Sequence, residues 1–168
     1  MPVEIKNENV GYNTKIAHID NGNRVKRASG ALIGTETEYW TELSATEVLS
    51  LNATPQIVVP AAGVGKIIIP RFFVVFLDYN SIPYAGIGGT EDLTFRYTDG
   101  SGVIVATLES TGFLDQTSDQ YRVIFSVLGG YTPVINSPIV LQIANGEVTS
   151  GNSPLKIQTY YNIIDTGF

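Results

Sequence analysis

The residues able to do chemistry are few and scattered. His18 is the only histidine among 168 residues, and there is no cysteine. A Ser-His-Asp site would have to be built around His18, in a polar, Lys-containing segment with no core to orient a general base. No Gly-x-Ser-x-Gly elbow occurs. Thiolate nucleophiles, disulfides and Cys-based zinc sites are excluded by composition. Pro60-Ala61-Ala62-Gly63-Val64-Gly65-Lys66-Ile67 has the outline of a phosphate-binding loop. It carries Pro at 60 where Gly is needed and Ile at 67 where a hydroxyl is needed, and it leads into a strand pattern, so it reads as a β-turn. Glu91, Asp92, Asp115 and Asp119 have the chemistry of paired carboxylates or of calcium ligands. Adjacent Glu91 and Asp92 would point to opposite faces of a strand, however, and no Asp-x-Asp-x-Asp spacing exists. Solvated acidic loops account for these residues. Asp99 in Thr98-Asp99-Gly100-Ser101-Gly102 is explained by turn chemistry, and the Asn52-Ala53-Thr54 sequon has meaning only on a secretory route. No catalytic, cofactor or metal constellation emerges, and the chain is read as non-enzymatic.

The elements that would position any site are strands. Lys66–Tyr79 (KIIIPRFFVVFLDY) is β-branched and aromatic between turn signals. Strict alternation puts Ile67, Ile69, Arg71, Phe73, Val75, Leu77 and Tyr79 on one face, and Ile68, Pro70, Phe72, Val74, Phe76 and Asp78 on the other. Both faces are apolar, so a second layer must cover the back, from this chain or from a neighbouring copy. Pro70 cannot donate to a ladder and marks a bulge or an edge.

Around this strand, Ser44-Ala45-Thr46-Glu47 fits a capping box opening one short helix at about 45–51. Further strands are expected at Gln56–Val59, Asp92–Tyr97, Val103–Leu108, Gln120–Leu128, Ile139–Ala144 and Leu155–Asp165. That makes seven in the body, with Leu93, Phe95 and Tyr97 sharing a face and Tyr121, Val123 and Phe125 alternating with Arg122 and Ser126. Asn21-Gly22-Asn23 would join Ile16–Ile19 to Arg24–Arg27 as a hairpin. The expected fold is all-β, an antiparallel β-sandwich of jelly-roll type with an extended N-terminal arm (1–35), a sandwich domain (36–168) and at most one short helix. An up-and-down barrel is the second choice.

The net charge of −6 is unevenly placed. Lys6, Lys15, Arg24, Lys26 and Arg27 are half of the 10 basic residues, while residues 28–168 hold 5 basic against 13 acidic. An acidic body disfavours nucleic acid. The basic leader reads as an arm that docks on something acidic, such as an identical subunit. The opening Met-Pro-Val-Glu-Ile-Lys has no apolar signal region and no run is long enough to span a bilayer, so a soluble protein is expected. Tyr and Trp outside the core can stack on sugars or fill an oligomer interface; Tyr79, Tyr84, Tyr131 and Tyr160 are placed for this. The interface candidates are Lys6, Lys15, Arg24, Lys26, Arg27, Tyr39, Trp40, Phe72, Phe76 and Tyr160.

The order of segments from Leu43 to Asp165 resembles small virion proteins of tailed bacteriophages. The matching stretches are LSATEVLSLNATP, the VPAAGVGKIIIP turn, the long apolar strand with its Tyr/Gly-rich loop, DLTFRYTDGSG, and SPIVLQIANGEVTSGNSPLKIQTYYNIID. The resemblance implies a β-sandwich component of the particle, foremost a capsid decoration (cement) protein that sits as a homotrimer on the lattice of the major capsid protein. Head-fibre or tail-adaptor proteins, or a module binding a host-surface glycan, are the alternatives. It implies no cofactor, and a virion location after assembly in the host cytoplasm.

Overall fold

The computed structural model describes residues 37–127 and 130–167, together with the short strands β1 (His18–Ile19) and β2 (Val25–Lys26). Two units are distinguished, 1–36 and 37–168. In the first, β1 and β2 pair antiparallel with His18 opposite Lys26 and Ile19 opposite Val25, within the two strands expected around the turn signal at 21–23; the other residues of those strands lie outside the described ones.

The second unit contains β3 (Thr37–Leu43), α1 (Ala45–Leu49), β4 (Gln56–Val59), β5 (Lys66–Leu77), β6 (Leu93–Tyr97), β7 (Ile104–Leu108), β8 (Gln120–Phe125), β9 (Ile139–Ile143) and β10 (Leu155–Asp165). Among the described residues of this unit there are eight strands, one more than the sequence patterning indicates. The extra one, β3, has the sequence TEYWTEL and buries only Leu43, so it lacks the apolar alternation that identifies its neighbours. The strands form two four-stranded sheets in the orders β3-β10-β5-β8 and β4-β9-β6-β7.

The pairing is nested. β6 pairs with β7, β5 with β8, β4 with β9 and β3 with β10, all antiparallel. The chain is thus one long hairpin folded back on itself, with successive pairs alternating between the two sheets. That is the jelly roll, two Greek keys closed into a sandwich. The sheets remain separate, so the barrel alternative is set aside.

Local signals decide each element. Ser44 caps α1 through both halves of the capping box: its hydroxyl accepts from the Glu47 amide, and the Glu47 carboxylate accepts from the Ser44 amide at 2.7 Å. Gly63 at φ +103° and Gly65 at φ +70° make the turn into β5, with Lys66 N–H donating to Gly63 O. Along β5 the pairing with β10 shifts, Tyr160 lying opposite Phe72 and Tyr161 opposite Pro70, which leaves Arg71 as an extra residue. This bulge corrects the strict alternation. Ile68 precedes it and Phe73, Val75 and Leu77 follow it on the buried face, so Ile67 and Ile69 do not share a face with Phe73.

The core lies between the sheets. Phe73 and Phe95 stack across it with ring centroids 4.0 Å apart, surrounded by Leu43, Val58, Val75, Leu77, Leu93, Val105, Leu141, Leu155 and Ile157. Two hydroxyls tie the layers together: that of Tyr97 donates to Ile68 O, and that of Thr41 donates to Val58 O at 3.1 Å.

Candidate interaction surface

Alternate positions of β10 and β5 are in the core, joined by Leu43 of β3, and the registers carry the opposite set across all four strands as the outer face of that sheet. The registers lay these residues out as a grid. One row reads Glu38, Tyr160, Phe72, Phe125; the next Trp40, Gln158, Val74, Val123; the third Glu42, Lys156, Phe76, Tyr121. Eight of the twelve positions are apolar or aromatic. Trp40 is 52% exposed, Tyr121 67%, Val123 50% and Phe125 68%, while Phe72, Val74, Phe76 and Tyr160 are half-buried between their neighbours.

The rings touch in series. Phe72 stacks on Tyr160 with centroids 4.3 Å apart and leans on Phe125 at 6.0 Å. Phe76 stacks with Trp40 at 5.9 Å and meets Tyr121 at 6.4 Å. The rings thus form two series, one on β10, β5 and β8 and one on β3, β5 and β8, with Val74 and Val123 in the row between them. Within the three rows the charges lie toward β3: Glu38 and Glu42 stand on β3, and Lys156 of β10 is paired with Asp78 at 2.7 Å. That pairing raises the Lys156 pKa. The β8 positions of the rows carry no charge, and the exposed bulge residue Arg71 stands beyond the Phe72 row.

The opposite sheet is finished differently. On the outer face of β4-β9-β6-β7, Arg96 donates to the Thr94 hydroxyl and to Gly102 O, and Gln142 donates to Asn52 O. Asn52 in turn donates to Ile143 O at 2.8 Å. Polar side chains and the 52–54 loop close that surface, leaving Ile57 and Ile104 exposed at its margins.

Of the candidate interface residues, Trp40, Phe72, Phe76 and Tyr160 come together on the aromatic face. Tyr39 lies opposite the buried Thr159 and so belongs to the other side of the sheet. Lys6, Lys15, Arg24 and Arg27 lie outside the described residues, and Lys26 is described only as part of β2. Sequence reasoning missed Tyr121, Val123 and Phe125. Their alternation was legible but its direction was not, because an apolar set normally points inward. Here Arg122 takes the inward side. Its guanidinium donates to Gly112 O at 2.9 Å, to the Gln120 side chain and to Tyr121 O, and lies 5.5 Å from the Phe113 ring centre. With the cation satisfied there, the apolar set is turned to solvent.

The loops hold fewer exposed aromatics than the sequence suggests. Tyr84 is buried, its hydroxyl donating to Ser153 O at 2.5 Å, and Tyr131 packs against Tyr97. The acidic candidates serve the backbone: Asp115 accepts from Gly112 N–H, Asp119 from Tyr79 N–H and Asp99 from Ser101 N–H. Among the described residues no group of three or more His, Cys, Asp or Glu could hold a metal ion, and no helix is long and apolar enough to cross a membrane.

No protein-family model matches the chain, and no curated protein matches it. Among solved structures it is similar to a chain titled "Cyanophage Pam1 capsid asymmetric unit", with 18% identity and a TM-score of 0.48, covering 77% of this chain and 85% of that one. So distant a likeness carries neither function nor assembly across. The jelly-roll assignment rests on the strand pairing alone.

Proposed function

We propose that this chain is a non-enzymatic structural component of a bacteriophage particle, a decoration protein that stabilises the head by burying its aromatic sheet face at a subunit boundary. The observation that carries the reading is the face itself. Eight apolar side chains on adjoining strands form a patch on the order of 600 Å², at the upper end of what a soluble monomer leaves exposed, and patches of that size are often contact sites. The resemblance of the segments from Leu43 to Asp165 to phage virion proteins supplies the setting, and the jelly roll suits it without requiring it. The mechanism is mass action: a partner that binds only the assembled lattice raises its stability.

The test uses heads of the encoding phage prepared without this chain. The purified chain should co-sediment with them saturably and raise their thermal rupture temperature, and Phe76→Asp should lose both effects. Absence of the chain from purified particles, with no binding to bare heads, refutes the proposal. A carbohydrate-binding reading is favoured by Trp40 and Tyr160 standing beside Gln158 and Glu38, rings and polar groups suited to a sugar face. Specific glycan binding that Trp40→Ala abolishes, with no head binding, would replace the first reading by the second.

A further inference from the structure

The occupant of the aromatic face can be argued from its size, its edges and the placement of its charges. We infer that it is a second copy of this chain, packed face to face about a two-fold axis that runs parallel to the strands. The inference rests on the reading of this face as a protein interface.

The size fits. At about 200 Å² for a fully accessible aromatic side chain, the rings and adjoining valines present on the order of 600 Å² of apolar surface. A standard interface takes about 800 Å² from each partner, including a polar rim, and Glu38 and Glu42 on the β3 edge supply part of such a rim. One edge is guarded against strand addition: along β8 the Arg122 guanidinium already donates to Tyr121 O at 2.9 Å and is pinned to Gly112 O. Contact through the face is the route that covers the rings.

The charges select the axis. Of the face-to-face arrangements with two-fold symmetry, two keep the strands of the copies aligned. An axis in the plane but perpendicular to the strands lays β3 over the partner copy's β3, which opposes Glu38 and Glu42 to Glu42 and Glu38. An axis parallel to the strands lays β3 over β8 and β10 over β5. Each row of the grid then meets the same row reversed: Glu42 faces Tyr121, Lys156 faces Phe76, Trp40 faces Val123 and Tyr160 faces Phe72. No like charges oppose one another, the Tyr121 hydroxyl comes within reach of a carboxylate it can donate to, and Lys156 lies over a ring. Glu38 falls over Phe125 at the rim, where it keeps its water.

The test is sedimentation equilibrium of the full-length chain over a concentration series. The mass should be twice the 18.2 kDa of one chain. Tyr121→Glu, which brings a carboxylate to Glu42, should raise the dissociation constant at least about tenfold above that of Tyr121→Lys, which brings a cation there. The far-ultraviolet spectrum of each monomer should be unchanged. A single-chain or three-chain mass at all concentrations overturns the inference, as does equal weakening by the two variants, since β8 over β8 would place residue 121 near Phe125. A single-chain mass with saturable head binding overturns the two-fold pair and leaves the virion reading standing; a pair that never binds heads does the reverse.

Discussion

Phe72 and Phe73 are consecutive, chemically identical and on opposite faces of β5, which makes them a direct test of the architecture. Phe73 is fully buried and stacked on Phe95 across the sandwich. Phe73→Ala removes a buried aromatic side chain, a ring–ring contact and the atoms that fill its space. Buried Phe→Ala changes cost about 3–5 kcal/mol, and a completely buried cross-sheet ring belongs near the middle of that range, at about 4 kcal/mol. That is a large part of the roughly 5–15 kcal/mol that holds a domain folded. With a urea slope of about 2 kcal/mol per M, the midpoint falls by about 2 M while the slope is unchanged. Phe72 is half-buried, stacked on Tyr160 and tilted against Phe125, so Phe72→Ala should cost the isolated chain about 1–2 kcal/mol, well below Phe73→Ala. Association couples to stability, so both variants are to be measured at low concentration in the Tyr121→Glu background. Equal losses at 72 and 73, or a larger loss at 72, would refute the placement of the bulge and with it the aromatic outer face.

Gly151 sits at φ +126°, and a β-carbon there would lie 2.2 Å from the Tyr84 ring; Gly151→Ala should therefore cost about 3 kcal/mol or more in thermal unfolding, through strain and displacement of a buried ring. Ser44→Ala removes the cap of α1 and should cost about 1 kcal/mol. The Ser44 hydroxyl and amide hold the Glu47 carboxyl below its ordinary pKa, so their contribution is complete above the unfolded value and is lost as pH falls through the folded one; urea midpoints between pH 6 and 3 should fall less steeply in Ser44→Ala than in the wild type. Burial pushes the Tyr84 and Tyr97 hydroxyls up, so their contribution is complete below about pH 10 and drains away above it. Alkaline absorbance titration should show a late tyrosine step coincident with unfolding, reduced in Tyr84→Phe.

What was legible in the sequence was whatever a period of two or a turn residue writes down. Leu93, Phe95 and Tyr97 announce an inward face, Ser44 and Glu47 a helix start, and Pro70 a bulge, and each stands where its chemistry requires. β3 was illegible because Thr37, Glu38, Thr41 and Glu42 mask a strand whose support comes from pairing with β10 rather than from burial. The nested pairing was illegible because register between strands a hundred residues apart leaves no local mark. For the aromatic face, Phe72, Phe76, Tyr160 and Trp40 could be named singly, but their convergence depends on β3, β10 and β5 lying side by side. Its β8 third depends on Arg122 finding Gly112 O and the Phe113 ring, contacts made by a loop the sequence marks only as polar.

The two sheets differ in a way that folding alone does not require. A sandwich needs each sheet to bury one face, and both do so. The β4-β9-β6-β7 sheet then closes its outer side with Arg96, Gln142 and Asn52, all hydrogen-bonded. The β3-β10-β5-β8 sheet includes the two longest strands, of 12 and 11 residues, and their outer positions carry Phe72, Val74, Phe76 and Tyr160 beside Lys156 and Gln158. Polar residues there would satisfy the ladder equally well and leave the chain more soluble. Arg122 sharpens the point. Turning it outward would free a cation for solvent and bring Tyr121, Val123 and Phe125 toward the core, yet the 112–113 loop is built to hold it inside. The sheet therefore keeps its most favourable strand composition facing out and guards its open edge with an inward charge, a combination that disfavours strand-by-strand aggregation while leaving the face available. Selection for a stable monomer gives no reason for that combination; a face buried in an assembly does.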